Sequence, residues 1–136
     1  MSCKYCSAKK KMKTPSSDSE AVVQRQLNAY NAHDVEALAA TYAEDAVQFE
    51  HPSTLLASGL AQLRPHWTAR FKDPLLHADL LKRTVMGRTV IDHESVRSTF
   101  PEGPGKTELV AIYEVHEGRI AKAWFIIGVK TLDSKP

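Results

Sequence analysis

Apolar and polar positions along this chain repeat with two different periods, and the change of period divides it into helical and extended parts. Val23, Leu27 and Tyr30 fall at spacings of four and three, the stripe of an amphipathic helix. Ser17-Asp18-Ser19-Glu20 precedes them as a capping box, with Ser17 bonding the amide three residues on and Glu20 reaching back. Asn31-Ala32-His33 breaks the pattern, and Asp34 caps a second helix whose buried stripe is Val35, Leu38, Ala39 and Tyr42. From Ala46 to His51 the period drops to two. Val47, Phe49 and His51 share one face of a strand, and Ala46, Gln48 and Glu50 share the other. Pro52-Ser53 turns the chain into a short strand over Thr54–Ala57. After Ser58-Gly59, Leu60, Leu63, Trp67 and Phe71 mark a third helix. Pro65 within it predicts either a regular start near Arg64 or an irregular entry.

Beyond Asp73-Pro74 the pattern is extended throughout. His77–Met86 and Thr89–Thr99 flank Gly87-Arg88, and Glu108–His116 and Arg119–Val129 flank Glu117-Gly118, two hairpin signals. Pro101–Gly105 reads as the loop between them. In the simplest register of the last hairpin Val115 faces Ile120, Tyr113 faces Lys122, Ala111 faces Trp124 and Leu109 faces Ile126. Both of its faces are largely apolar, so both are expected to be covered. The order ααββαββββ predicts an α+β domain with one curved antiparallel sheet. Three helices can cover only one face of that sheet, so its outer face is expected to pair with a second copy as a homodimer.

Composition changes this picture little. At 136 residues, 43% hydrophobic and 25% charged, the chain suits one domain with a real core. The net charge of +2 comes from five lysines within residues 1–13; the rest holds 13 bases against 16 acids, which argues against nucleic acid as a partner. No apolar run has the length of a membrane span or the character of a secretory signal, so the expectation is a cytoplasmic protein without a membrane partner. Cys3 and Cys6 supply two of the four ligands of a structural zinc, and they sit in a lysine-rich tail expected to be disordered over residues 1–16, ahead of a single domain at 17–136.

The candidate chemistry is sparse. Glu50 and His51 are the best proton carriers, since a group that titrates near neutrality once partly buried is what acid–base work needs. They point to opposite sides of their strand, and His51, sharing its face with Val47 and Phe49, is the one expected in a pocket. In Asp92-His93-Glu94 alternation sends His93 one way, with Ile91 and Ser95, and both acids the other, with Val90 and Val96. A carboxylate orienting His93 would make a base, and a strand exposed on one face would give the same pattern. His51, His77 and His93 lack ligand spacing, so no metal is expected. Trp67, Phe71, Tyr113, Trp124 and Phe125 are core or pocket aromatics, with Arg70 and Lys122 near them. Nucleophilic serine motifs, phosphate loops and dinucleotide fingerprints are absent from the sequence.

The run AVVQRQLNAYNAHDVEALAATYAEDAV (Ala21–Val47), the Ser58-Gly59 pair and the EGRI hairpin together resemble the nuclear transport factor 2-like superfamily, in its ketosteroid isomerase and SnoaL-like polyketide cyclase branch. The resemblance implies a cone-shaped domain, a curved sheet wrapped around three helices and an apolar pocket, paired as a dimer. It places Gln26 at the isomerases' oxyanion tyrosine, with Tyr30 one turn later, and Glu50 or His51 at their base. Their second acid falls at Ala111 or Ile112, neither of which can donate a proton. The implied function is cofactor-free acid–base chemistry on a small apolar carbonyl compound: isomerisation, cyclisation or dehydration. His51 or Glu50 would move the proton and Tyr30 would steady the oxyanion, while Gln26, Trp67, His93, Tyr113, Trp124 and Phe125 hold the substrate. The alternative is a non-catalytic ligand-binding or dimerising module of the same fold.

Overall fold

The computed structural model describes residues 15–134, so Cys3, Cys6 and nearly all of the expected tail lie outside the described residues. Helix α1 (Pro15–Asn31) opens two residues before the expected cap, on a proline whose fixed φ and missing N–H suit a first helical turn. Val22, Val23 and Leu27 are buried along its stripe. Helix α2 (Val35–Ala39) begins as expected, with the Asp34 carboxylate accepting the Ala37 N–H at 3.0 Å. It stops sooner than the apolar spacing suggests. The Thr41 hydroxyl donates to the Leu38 carbonyl at 2.7 Å, and the Thr41 carbonyl accepts the Ile120 N–H at 2.8 Å, which draws the chain into the sheet. Tyr42 is buried, but as the first residue of strand β1 (Tyr42–Glu50) and not as the last of a helix.

Strand β2 (Thr54–Ser58) returns along β1, and Gly59, at φ 84°, turns into helix α3 (Leu60–Arg70). A positive φ is cheap only for glycine. The helix is regular from Leu60, with Pro65 inside it and Leu63 and Trp67 buried beneath. Strands β3 (His77–Met86), β4 (Thr89–Phe100), β5 (Gly103–His116) and β6 (Arg119–Leu132) complete a six-stranded sheet in the order β2-β1-β6-β5-β4-β3. The stretch expected as a loop is only a tight turn, because β5 starts at Gly103. Every neighbouring pair is antiparallel except β1 with β6, which is parallel. The sheet curves around the three helices without closing, an α+β cone. No helix among the described residues is long and apolar enough to cross a membrane.

Two register findings decide what faces the interior. In the last hairpin Val115 pairs with Ile120 as expected, but a bulge follows. Tyr113 then meets Ala123, Ala111 meets Phe125 and Leu109 meets Ile127, one residue off the simple register. The inner face therefore carries Leu109, Ala111, Tyr113 and Val115 with Ala123 and Phe125. Over Ala46–Glu50 of β1 the buried residues are Ala46 and Gln48, not Val47 and Phe49. Phe49 lies on the outer face, stacked on Trp124 at 5.8 Å. That outer face is itself apolar: Ile91 pairs with Ile112, Ile112 with Trp124, and Trp124 with Phe49, a row crossing four strands. Hydrophobic alternation alone consequently chooses the wrong side of β1.

Candidate functional site

Between the helices and the inner face of the sheet lies a pocket of about 280 Å³. Six of the nine residues expected at a site line it: Gln26, Tyr30, Glu50, Trp67, Tyr113 and Phe125. Three do not. His51 follows the end of β1 as an exposed turn residue, tethered by its N–H to the Phe125 carbonyl at 2.8 Å. His93 points to the outer face, where its ring meets the Glu108 carboxylate. Trp124 belongs to the outer apolar row. Since β1 turns Ala46 and Gln48 inward, Glu50 is the member of the Glu50-His51 pair that reaches the pocket, at its exposed rim. His33, assigned no part in the chemistry, donates its Nε2–H to the Leu76 carbonyl at 2.7 Å and stacks on Phe71.

The residue that sequence reasoning passed over is Glu94. Strand β4 alternates as anticipated, with His93 on one side and both acids on the other, but the acids are on the buried side. Asp92 is fully buried and held by Arg83 in a two-pronged pair, Nε to Oδ1 at 2.7 Å and Nη2 to Oδ2 at 2.9 Å. The Gln24 side-chain oxygen accepts a further bond from Arg83 at 2.9 Å. Glu94, only 5% exposed, has no such cation among the described residues and stands on the pocket wall. Burial, and then the charge of Asp92, push its carboxyl up to about 7. The signal was available: Val90 and Val96 flank the acids on their own face, and a face that carries valines at both ends is a buried one.

Three phenols share this interior. Tyr42, inclined against Trp67 at 5.0 Å, accepts a hydrogen bond from the Gln48 side-chain amide at 3.3 Å. Tyr30 packs edge-on against Phe71 and accepts from the Arg70 guanidinium at 3.4 Å. Tyr113 sits edge-on to Phe125. Burial raises all three above the ordinary phenol range, and the Glu94 charge pushes the same way, so each stays protonated and can donate. His66, beside Arg70 at the outer edge, is held below its ordinary value by burial and by the arginine's charge. Among the described residues no three potential metal ligands cluster.

This arrangement offers a carboxyl poised near neutrality, neutral donors and apolar walls, which is the equipment for moving a proton on a carbon acid while steadying an oxyanion. The sequence profile of the SnoaL-like domain matches residues 23–123. No curated protein matches significantly. Among solved structures, a cystatin-fold protein from Novosphingobium aromaticivorans is similar at 23% identity and a TM-score of 0.72, over 80% of this chain and 97% of that one. A putative polyketide cyclase from Sinorhizobium meliloti is similar at 26% identity and a TM-score of 0.64, over 77% and 93%. A putative ketosteroid isomerase from Kribbella flavida is similar at 18% identity and a TM-score of 0.69, over 90% and 86%.

Proposed function

The chain belongs to the SnoaL-like domain family, and from that footing we propose that it is a cofactor-free acid–base enzyme acting on a small, largely apolar carbonyl compound. The observation that carries this reading is Glu94, a buried carboxyl on a pocket wall, without a cation of its own among the described residues and ionising close to neutral pH. Its carboxylate takes a proton from the carbon beside the carbonyl; the resulting acid returns that proton to another atom of the same substrate. Isomerisation, cyclisation and dehydration all pass through this exchange. Tyr30 and Tyr42 each already accept one hydrogen bond, so their O–H groups are left to donate to the developing enolate oxygen. The base role falls to Glu94 in preference to Glu50, which is exposed at the rim, and to His51, which lies outside the pocket.

The test is deuterium uptake at the α-carbon of a panel of cyclic ketones and enones in heavy water. The wild-type protein should catalyse uptake with at least one member of the panel. Replacing Tyr30 or Tyr42 by phenylalanine should slow it by about two to three powers of ten, the usual effect of losing one oxyanion donor. No uptake across the panel would remove the enzyme reading and leave a ligand-binding module of the same fold.

The same reading includes a homodimer. The row Ile91, Ile112, Trp124 and Phe49 is apolar and faces away from the helices, and Ile126 beside it is 41% exposed. A second copy of the same sheet face would cover it with a self-complementary surface. Light scattering at micromolar concentration should therefore report twice the chain mass, and Trp124→Glu should halve it. A monomeric wild-type protein would refute this assembly.

A further inference from the structure

We propose that the guanidinium of Arg70 receives a carboxylate at the mouth of the pocket, so that the molecule it takes is an apolar keto acid and not the neutral ketone of the same skeleton. This rests on the pocket of Glu94 being the substrate site and names the class of that substrate.

Among the described residues Arg70 is the one arginine or lysine that lines the pocket. His66 and Arg70 lie four residues apart on α3, so they share a face of the helix beside the buried Trp67, and both are exposed where the pocket opens. Arg70 donates from Nη2 to the Tyr30 hydroxyl at 3.4 Å, which turns its head toward the pocket wall. A guanidinium carries five N–H donors, and this is the one side-chain bond Arg70 makes among the described residues. Arg64, Arg83 and Arg97 are each met by a carboxylate at 3.1 Å or less, whereas Arg70 has none within ion-pair distance among the described residues.

Two structural duties that would occupy such an arginine are already filled. A cation in the last turn of a helix can bond its final carbonyls. Here the backbone amides of Phe71, Lys72 and Asp73 take the carbonyls of Trp67, Ala69 and Arg70. Asp73, three residues on, engages its carboxylate with the Leu75 N–H and with the N–H and hydroxyl of Thr99. The guanidinium is left with open donors at the mouth of a cavity.

The neighbouring groups narrow what it receives. A carboxylate matches the guanidinium fork with two parallel bonds. Burial and the charge of Arg70 hold His66 below its ordinary value, so near neutrality it adds a hydrogen bond and no second cation. Glu50 and Glu94 line the same pocket. A phosphate dianion would face both acids with one cation to answer it, while a single carboxylate is answered one for one. With the carboxylate at the mouth, the apolar skeleton runs inward along Trp67, Leu109 and Phe125, and Tyr30 offers its O–H to a carbonyl deeper in.

The experiment is calorimetric titration of the full-length protein with 2-naphthoate and its neutral isostere 2-naphthamide at pH 6, where Glu94 is mostly protonated and the probe acid is ionised. Wild type should bind naphthoate at least about fivefold more tightly, the upper value for an ion pair that keeps contact with water. Arg70→Gln should bring the ratio to about one by weakening naphthoate, with naphthamide binding and melting temperature unchanged. Arg70→Lys should keep part of the preference, as a point charge without the fork. Arg64→Gln, on the same helix but paired with Glu36, should keep all of it. Equal affinities in wild type, a preference that survives Arg70→Gln, or one lost to the same extent in Arg64→Gln would overturn the proposal. So would an equal loss of both probes in Arg70→Gln, which would make Arg70 a support for Tyr30 only, or a failure of both to bind wild type. Naphthoate preference does not require turnover. Preference without deuterium uptake would keep the carboxylate site and retire the chemistry of Glu94, and uptake without preference would do the reverse.

Discussion

Replacing Glu94 by glutamine is expected to abolish turnover and, at alkaline pH, to make the protein more stable. Both effects have one origin. The carboxyl ionises near 7 in the folded chain and near 4.5 when ordinarily solvated. Below about pH 4.5 both states carry a neutral acid and the group is indifferent to folding. As pH rises through 4.5 the unfolded chain releases its proton first, and the folded state falls progressively behind until its own carboxyl ionises near 7. Above that point the folded protein carries a buried charge that disfavours it by about 3 kcal/mol, taking about 1.4 kcal/mol for each unit. Glu94→Gln removes that burden, so its melting temperature should equal wild type near pH 4 and exceed it by up to roughly 10 °C at pH 8. Deuterium uptake should meanwhile fall by about two to four powers of ten, the usual contribution of a positioned base. Wild-type uptake should rise with pH along a limb centred near 7, which the variant lacks. A variant less stable than wild type at pH 8 would mean that Glu94 is held by structure and not strained for use.

The contrast between Glu94 and His51 shows where the sequence was legible. Element order, the Asp34 cap, the hairpin ends and the alternation of β4 follow from local rules, and local rules are visible in a chain read alone. Which side of a strand faces the helices is not local when both faces are apolar. Val47 and Phe49 outweigh Ala46 and Gln48 in hydrophobicity, yet the small and amide side chains are the ones turned inward, beside a pocket. The bulge in the last hairpin is equally non-local in effect. One extra residue in β6 moves Trp124 from the expected partner Ala111 to Ile112, and so to the outer face. The acids of β4 were readable in principle, because their valine neighbours mark a buried face; the usual reluctance to bury two carboxylates argued the other way. Arg83 resolves that conflict for Asp92, its cross-strand partner in the β3–β4 hairpin, and the fold then adds Gln24 from α1.

Replacing Asp92 by asparagine should destabilise the protein and also move the pH dependence of its chemistry. The Arg83 side chain is 9% exposed and Asp92 is wholly buried, so the pair is inside the protein. Desolvating both ions is offset by the two-pronged contact and by the bond to Gln24. Removing one partner leaves the guanidinium buried with only amide oxygens and the distant Glu20, 3.9 Å away, to answer it. Breaking a buried pair in this way typically costs about 3–5 kcal/mol, so the melting temperature should drop by roughly 10 °C or more. The second effect separates this role from mere packing. Asp92 raises the proton affinity of Glu94 through its charge, and Arg83 lowers it. With Asp92 neutral the raising charge is gone and the lowering charge of Arg83 remains, so the limb of deuterium uptake should move from near 7 toward acid. The double variant Arg83→Leu with Asp92→Asn should recover much of the stability, since no uncompensated ion remains. Its limb should stay acid of wild type, because the raising charge of Asp92 is still missing while only the weaker lowering charge of Arg83 has gone. A limb that does not move in either variant would show that Asp92 acts on the fold alone and sets nothing at Glu94.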